Sequence, residues 1–335
     1  LQFCVVETFA LGDLVYLTAF LYGLRAVAPR ARIRLVTGLA GAAFAFPEDL
    51  RVEVTAAHWP WVNVDWWRRP LQSARAIFRA RRTLEPVGGS WVGLDPRGDI
   101  RHRYLLRRLG VRNVVQDGTR PRTLARLLGQ SDRHVLEDRQ QYLDATCRAL
   151  GVGNPSTLRW PWANGNGVAG HEDRRVILAP EAGARLREWP QERWIQLSQE
   201  LRSRGWKTEL VVHDLSWEGF DLAAAFDSVF AGSVRELSER LRGAAFVIAV
   251  DSFVGHYAAA HGISVLSLFG PTLVARWKPW GRNHIVLQHD GYACRPCLQV
   301  RCVQPETSCM KTIALSEILD LLRRMPGTTA GASGT

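Results

Sequence analysis

Short apolar runs alternate with longer segments of helical character along this chain, and that alternation constrains the fold more than any other feature. Residues 3–7 predict a buried strand, residues 10–13 a turn, residues 14–28 an apolar helix that stops before a proline, and residues 33–37 a second strand. A strand, a helix and a strand in this order form a βαβ unit. The chain is therefore expected to build a parallel sheet with a right-handed crossover.

The alternation pauses at a loop-like stretch, residues 154–173, and then starts again. Further strands are predicted at 91–95, 176–179, 208–213, 228–230, 246–250 and 265–269, and helices at 191–204, 217–225, 234–242 and 255–261. We place a domain boundary in the loop, which gives domains 1–155 and 156–335. The prediction is an α/β protein with two Rossmann-like, doubly wound domains facing a central cleft, an architecture that favours a nucleotide-dependent transferase.

The composition excludes several classes of protein. The 335 residues are 47% hydrophobic and 22% charged, which suits globular domains with real cores. No apolar run reaches the roughly 18 residues of a membrane span. The first residues are apolar, without a basic segment or a small-residue cleavage site, so we expect no signal peptide and a cytoplasmic location.

The junction after residue 250 is the first candidate ligand site. A predicted strand runs directly into a helix, with Asp251 and Ser252 between them. Ser252 is a natural N-cap, and the backbone N–H groups of the first turn are suited to a diphosphate. His256, one turn into the helix, is within reach of the same ligand. The alternative is an ordinary capped helix whose histidine packs against the sheet.

The loop after residue 179 is the second candidate. Gly183 allows close approach of backbone to a phosphate, and Arg185 or Arg187 can neutralise charge on a departing diphosphate. Pro190 then starts the next helix. The alternative is a solvated basic loop, which suits Arg185 better than Arg187.

Taken together, these segments resemble glycosyltransferase family 9, the ADP-heptose:lipopolysaccharide heptosyltransferases. The resemblance rests on Gly12-Asp13 and, after the helix, Ala28-Pro29-Arg30-Ala31; on Leu94-Asp95-Pro96-Arg97-Gly98-Asp99; on Gly183-Ala184 with Arg187 before Trp189-Pro190; on Asp251-Ser252 with His256 and Ala258-Ala259; and on Leu268-Phe269-Gly270-Pro271-Thr272. It covers most of the chain and implies the two-domain GT-B fold, with the acceptor on the first domain and the nucleotide-sugar on the second.

The resemblance also implies an activity and its residues. Asp13 matches the family's general base for an inverting transfer of a sugar, with heptose from ADP-heptose favoured, to an acceptor hydroxyl of the lipopolysaccharide core type. The alternative for Asp13 is the N-cap of the helix at 14–28. The donor-binding residues implied are Gly183, Ala184, Arg187, Asp251, Ser252, Phe253, Val254, Gly255, His256 and Thr272. No cofactor is required for catalysis, because a helix N-terminus and Arg187 can carry the leaving-group charge.

Three departures from the family pattern leave the donor's identity open. Phe253 stands where family members usually have glycine, Arg187 replaces the usual lysine before Trp-Pro, offset by Glu188, and Glu181 adds an acidic residue to the loop. Two other functions therefore remain: a family member with another sugar nucleotide and a protein or small-metabolite acceptor, or a non-catalytic GT-B binding protein.

Four of the six cysteines form a cluster near the C-terminus, at Cys294, Cys297, Cys302 and Cys309. In a reducing compartment such a cluster is typical of metal thiolates, and four sulfur ligands suit structural zinc or iron. Free or redox-labile thiols are the alternative. Related clusters occur in parts of the resembled family.

The net charge of +11 is concentrated in the first half, where residues 1–150 hold 23 arginines against 14 acidic residues. Tryptophans and arginines cluster there, at Trp59, Trp61, Trp66, Trp67, Arg68, Arg69, Arg75, Arg79, Arg81, Arg82, Arg97, Arg101, Arg103, Arg107 and Arg108. Such a surface suits an anionic or amphipathic acceptor and peripheral contact with the inner face of the membrane. Solvated arginines with some tryptophans in the core are the alternative. No nucleic-acid motif accompanies the charge, so no nucleic-acid partner is expected.

Overall fold

The computed structural model describes residues 1–38, 44, 46–57, 84–115, 133–153, 157–158, 174–213, 221–281, 283–297 and 301–325. Its contacts divide the chain into two compact units, Leu1–Pro161 and Trp162–Thr335. The sequence-based boundary at 155/156 falls a few residues earlier than this division. Among the described residues, no helix combines the length and the apolar character needed to cross a membrane.

The first unit is built on a five-stranded parallel sheet. Its strands are β1 (Gln2–Glu7), β2 (Arg32–Thr37), β3 (Val52–Ala56), β4 (Val92–Leu94) and β5 (Asn113–Val114), in the order β3-β2-β1-β4-β5. Its helices are α1 (Leu11–Val27), α2 (Ile100–Arg108) and α3 (Val135–Leu150), and a 3-10 turn spans Glu48–Leu50. The predicted βαβ start is confirmed by the parallel pairing of β1 with β2.

The core of the first unit lies on both faces of β1. Residues 3–6 of this strand are completely buried, as expected for a central strand of a parallel sheet. Helices α1 and α3 meet closely at Gly23, where an added Cβ would come within 2.5 Å of Leu143. A larger residue at this position would have to displace the Leu143 side chain.

The second unit contains a six-stranded parallel sheet. Its strands are β6 (Arg175–Ala179), β7 (Lys207–Val211), β8 (Ser228–Phe230), β9 (Phe246–Val250), β10 (Ser264–Leu268) and β11 (His284–Leu287), in the order β11-β10-β9-β6-β7-β8. The helices are α4 (Gln191–Ser203), α5 (Leu222–Ala225), α6 (Val234–Arg242), α7 (Phe253–Ala260), α8 (Val274–Trp277) and α9 (Leu315–Leu322), with a 3-10 turn at Arg185–Arg187. The strands and helices predicted for this half are confirmed wherever they fall in described residues, with ends that shift by one or two residues. The helix predicted at 217–225 is described only from residue 221 onward, as the single turn α5.

In both parallel sheets, the order in which successive strands are added reverses at one point. In the first unit this point lies between β1 and β4, and in the second between β6 and β9. At such a point the loops that leave adjacent strands run to opposite faces of the sheet and open a crevice at its carboxyl edge. Each sheet therefore has one preferred position for a ligand.

Candidate active site

The crevice of the second unit is centred on Asp251, which follows β9 and is 3% exposed. The hydroxyl of Thr272 donates a hydrogen bond to Oδ2 of Asp251 at 2.7 Å. Nη1 of Arg187 donates to the carbonyl oxygen of Asp251 at 3.2 Å and lies 3.5 Å from Oδ2. Three predicted site residues, from the loops after β6, β9 and β10, are thus brought together.

The charge of Asp251 is stabilised by these neighbours. Burial by itself raises the pKa of this carboxyl, but the imidazole of His256, the cation of Arg187 and the Thr272 hydroxyl outweigh burial and lower the pKa. Nε2 of His256 lies 3.7 Å from Oδ1 of Asp251. Asp251 is therefore an ionised acceptor that can receive hydrogen bonds from the hydroxyls of a ligand.

The loop after β6 holds Arg187 in place. Ala184 is the N-cap residue of the 3-10 turn that contains Arg187. A Cβ added to Gly183 would lie 3.3 Å from Nη2 of Arg187, so a larger residue would press on the guanidinium. Glu181, the additional acid in this loop, accepts a hydrogen bond from the backbone N–H of His213 and thereby ties the loop to the end of β7.

Helix α7 begins in the same crevice, with Ser252 as its N-cap residue. Contrary to expectation, the Ser252 side chain makes no cap hydrogen bond. This residue is only 9% exposed, and among the described residues its Oγ has no hydrogen-bond partner. An unpaired buried hydroxyl beside the first backbone N–H groups of a helix is suited to an anionic ligand.

The next residues of α7 explain how the helix approaches the sheet. A Cβ on Gly255 would come within 3.3 Å of the Ala249 side chain, so glycine allows close packing of α7 on β9. The Phe253 ring stacks on Tyr257 of the same helix, with centroids 5.1 Å apart. The bulky residue at position 253 is thus accommodated along the helix, and Val254 follows it in the first turn.

In the first unit, Asp13 lies in the first turn of α1 and is 7% exposed. The helix begins at Leu11 with Ala10 as its N-cap residue, so the alternative of Asp13 as N-cap is wrong. Nη1 of Arg97, from the loop after β4, lies 2.6 Å from Oδ1 of Asp13. Asp13 therefore occupies the crevice at the carboxyl edge of β1 and β4, held as an ion pair.

Two charged residues beside Asp13 were missed by the sequence analysis. Glu7, the last residue of β1, is fully buried, and Nη2 of Arg139 from α3 donates to its Oε2 at 2.7 Å. Burial by itself raises the pKa of Glu7, but Arg139 and Arg97 outweigh burial and lower it. A glutamate in a run of buried strand residues was a visible signal, whereas nothing in the sequence distinguished Arg139 from the other arginines.

A second buried group supports the loop between β1 and α1. Nδ1 of His102 lies 2.9 Å from Oδ1 of Asp95, and its Nε2 lies 3.1 Å from the hydroxyl of Thr8. All three side chains are buried. The chain of contacts fixes the residues after β1 against α2, and therefore the position from which Asp13 is presented.

The predicted aromatic and basic surface is described only in part, because its members from Trp59 to Arg82 lie outside the described residues. The guanidiniums of Arg97 and Arg101 lie 3.6 and 4.7 Å from the centre of the Phe9 ring. Arg101 also pairs with Asp99, which caps α2, while Arg107 and Arg108 are exposed at the end of α2. Arg97 and Arg101 thus contact neighbouring side chains, whereas Arg107 and Arg108 are exposed, with Nε of Arg108 donating to the Tyr104 hydroxyl at 3.1 Å.

The four cysteines of the C-terminal cluster are free thiols, and two of them, Cys297 and Cys309, lie beside the loop carrying Thr272. The N–H of Cys297 donates to the carbonyl of Pro271 at 2.9 Å. Burial raises the pKa of the Cys309 thiol, Arg295 lowers it, and the thiols of Cys294, Cys302 and Cys297 raise it further. Within the described ranges, however, no three or more His, Cys, Asp or Glu side chains are arranged to bind one metal ion. The donor set has the chemistry of a zinc or iron site without its geometry.

Comparison with known proteins gives one consistent result. The family model described as glycosyltransferase family 9 (heptosyltransferase) matches residues 163–307. Lipopolysaccharide heptosyltransferase 1 of Pseudomonas aeruginosa is 31% identical over 149 residues, which are 42% of this chain and 39% of that protein. The chain therefore aligns with about two fifths of that relative's length.

Solved structures extend the likeness to both units. Heptosyltransferase WaaC of Escherichia coli with ADP-2-deoxy-2-fluoro heptose has a TM-score of 0.64 and 19% identity, covering 97% of this chain and 99% of that one. The iron-containing glycosyltransferase TibC of enterotoxigenic E. coli has a TM-score of 0.56 and 13% identity, covering 96% and 77%. With two parallel α/β sheets in the chain, these likenesses show a GT-B fold, as predicted.

Proposed function

We propose that this chain, whose residues 163–307 match the model of glycosyltransferase family 9 (heptosyltransferase), is a member of that family and transfers heptose from ADP-heptose to an acceptor hydroxyl of the lipopolysaccharide core type, with inversion at the anomeric carbon. The observation that carries this proposal is the convergence of Arg187 and Thr272 on the buried carboxylate of Asp251. This is an arrangement for a ligand that combines hydroxyls with negative charge.

We assign donor binding to the second unit. The amides that begin α7 and the unpaired hydroxyl of Ser252 would hold the diphosphate. Asp251 would accept hydrogen bonds from the sugar hydroxyls, and Arg187 would stabilise the negative charge that develops as the diphosphate leaves. Since these groups supply the positive potential, the proposed transfer needs no divalent cation.

Asp13 is assigned as the general base. In the proposed step, an acceptor oxygen forms a bond to the anomeric carbon while the bond from that carbon to the diphosphate oxygen breaks. The proton of the acceptor hydroxyl goes to the Asp13 carboxylate, and ADP departs with the bonding electrons. Attack from the face opposite the leaving group inverts the anomeric configuration.

The first unit is proposed to bind the acceptor. Its excess of arginines and the exposed Arg107 and Arg108 suit a phosphorylated, amphipathic molecule. For such an acceptor we also propose a cytoplasmic enzyme with peripheral contact at the inner face of the membrane. Loss of binding to anionic vesicles in an Arg107→Gln/Arg108→Gln variant supports this contact, and unchanged binding contradicts it.

A donor screen tests the proposed activity. Purified protein is incubated with ADP-heptose, other ADP-sugars, UDP-sugars and GDP-sugars, and loss of each is followed by mass spectrometry. We expect consumption of ADP-heptose with an acceptor present. A preference for another donor would keep the transferase and replace the sugar, whereas absence of binding to every donor would favour a non-catalytic protein.

Two variants test the assigned residues. Asp13→Asn should lose turnover and still bind the donor, and Asp251→Ala should weaken donor binding. Asp290→Asn is a matched control, because this carboxylate is fully exposed in the same unit as Asp251. Full activity in Asp13→Asn removes it from the base role, and unchanged donor affinity in Asp251→Ala removes that assignment.

For the cysteine cluster we propose a structural zinc or iron ion, as the four thiolate donors and the iron-containing relative suggest. Binding of one ion by all four thiolates requires a closer arrangement of the sulfur atoms than the described residues show. Elemental analysis of the purified protein should find about one equivalent of metal, lost in Cys309→Ser. Metal-free protein with full stability would leave the cysteines as free thiols.

A further inference from the structure

We propose that Glu7 is a positioning residue for proton transfer: through the arginines that it shares with Asp13, it leaves one oxygen of the Asp13 carboxylate available to the acceptor hydroxyl. The proposal rests on the general-base role proposed above for Asp13. It concerns how the base is kept accessible while it lies between two guanidinium groups.

The contacts of the Asp13 carboxylate are one-sided. Oδ1 lies 2.6 Å from Nη1 of Arg97 and 3.9 Å from Nη2 of Arg139. In the part of the chain that the structure describes, no ion pair or hydrogen bond reaches Oδ2. Oδ1 is therefore the anchored oxygen, and Oδ2 is the oxygen that can receive a proton.

Glu7 decides where Arg139 points. Nη2 of Arg139 is 2.7 Å from Oε2 of Glu7, more than an ångström closer than it is to Oδ1 of Asp13. The same Nη2 donates to the backbone carbonyl of Asp13 at 3.3 Å. Arg139 thus supports the backbone of the base without covering its carboxylate.

Arg97, the second arginine, lies closer to Asp13 than to Glu7. Nη1 of Arg97 is paired with Asp13 and lies 3.9 Å from Oε1 of Glu7. Two carboxylates and two guanidiniums therefore form one neutral group. If Glu7 loses its charge, Arg139 keeps a single carboxylate neighbour, Asp13, and a guanidinium with one carboxylate partner favours a two-pronged contact with both oxygens.

The predicted consequence separates turnover from binding. In Glu7→Gln, Arg139 turns towards Asp13 and occupies Oδ2, so kcat should fall by at least about tenfold, a part of what a general base contributes. The KM for the donor should stay within about twofold, because the donor is assigned to the other unit. If Glu7 served only the stability of the fold, Glu7→Gln would give less folded enzyme, but the folded enzyme would keep its kcat.

A double variant supplies the decisive comparison. Glu7→Gln/Arg139→Met removes both the anchor and the arginine that it restrains, so kcat should recover to within a few fold of the unmodified enzyme. Glu53→Gln is the matched control, since Glu53 pairs with Arg32 at 2.8 Å on the surface of the same unit. Full kcat in folded Glu7→Gln, or a double variant as slow as Asp13→Asn, overturns the proposal.

The experiment also remains informative if Glu7→Gln does not fold. Glu7→Asp keeps the charge and should retain most of kcat, and the double variant carries no unpaired arginine. Asp13→Asn is assayed in parallel to separate the two ideas. If Asp13→Asn is inactive and folded Glu7→Gln is fully active, only the positioning role fails; if Asp13→Asn is active, the general-base assignment itself fails.

Discussion

Gly270 offers a direct test of how the loop carrying Thr272 is held. This glycine follows β10, and its carbonyl oxygen accepts hydrogen bonds from Gln288 at 3.1 Å and from Arg295 at 2.9 Å. A Cβ at this position would lie 2.5 Å from Sδ of Met310 and 3.0 Å from Sγ of Cys309. Real Cβ atoms do not make contacts as short as the one to Met310, so Gly270→Ala must displace the loop, the segment packed on it or the Met310 side chain.

The loss of stability in Gly270→Ala depends on which neighbouring groups can move. Met310 is buried in the core of the second unit, but its thioether is flexible and can absorb part of the strain. One inserted methyl group in a packed core costs about 1–3 kcal/mol, and we expect about 2 kcal/mol here. For a domain of this size that lowers the melting temperature of the second unit by roughly 4–8 °C.

Calorimetry or circular dichroism on heating measures this shift, and titration with ADP-heptose measures whether donor affinity falls because Thr272 moves away from Asp251. Gly89→Ala is the control, because its Cβ would have no heavy atom within 4 Å. The control should remain within about 0.5 kcal/mol of the unmodified chain. If Gly270→Ala melts with the unmodified protein and binds donor equally well, the loop is not held by Met310 and Cys309.

Two further predictions concern the second unit. Burial, with the charge of Arg242, lowers the pKa of His261 from 6.5 to about 4, so acid favours the unfolded chain. The contribution of neutral His261 to the free energy of unfolding should be fully present above pH 6.5, and that free energy should fall by about 3 kcal/mol towards pH 4 in urea titrations. An equal fall in His261→Gln would contradict this cause. Ser252→Ala should leave unfolding within about 0.5 kcal/mol and weaken donor binding about tenfold, the worth of a hydrogen bond to a charged group. Lost stability with unchanged donor affinity would make Ser252 structural.

The convergence of Asp251 and Arg187 is consistent with parallel strands that present their carboxyl ends at one edge. Asp251 and Arg187 were singled out from two separate strand exits, and the structure brings them within 3.5 Å. The contact also depends on β6 and β9 being neighbours in the sheet, an order that the sequence analysis did not predict. The hydrogen bond from Thr272 was harder to foresee, since it depends on the path of the loop after β10.

Other features carried no recognisable signal. Helix α1 begins after Ala10, which has no side chain to cap it, so the sequence pattern placed its start three residues late, at Leu14. Helix α3 starts after His134, whose ring accepts from the N–H of Leu136 at 3.1 Å, an unusual cap. The pairing of Glu7 with Arg139 joins residues far apart in the chain, and periodicity carries no information about such a partnership.

The central position of β1 has a consequence for how the chain acquires its structure during synthesis. β1 is synthesised before β2 and can pair with it soon afterwards, but its other edge pairs with Val92–Leu94. Until β4 is made, β1 presents unpaired backbone groups that can capture a strand of another molecule. Translation that pauses before Val92 therefore prolongs the aggregation-prone interval, and assembly of this unit is governed by contacts of long sequence separation.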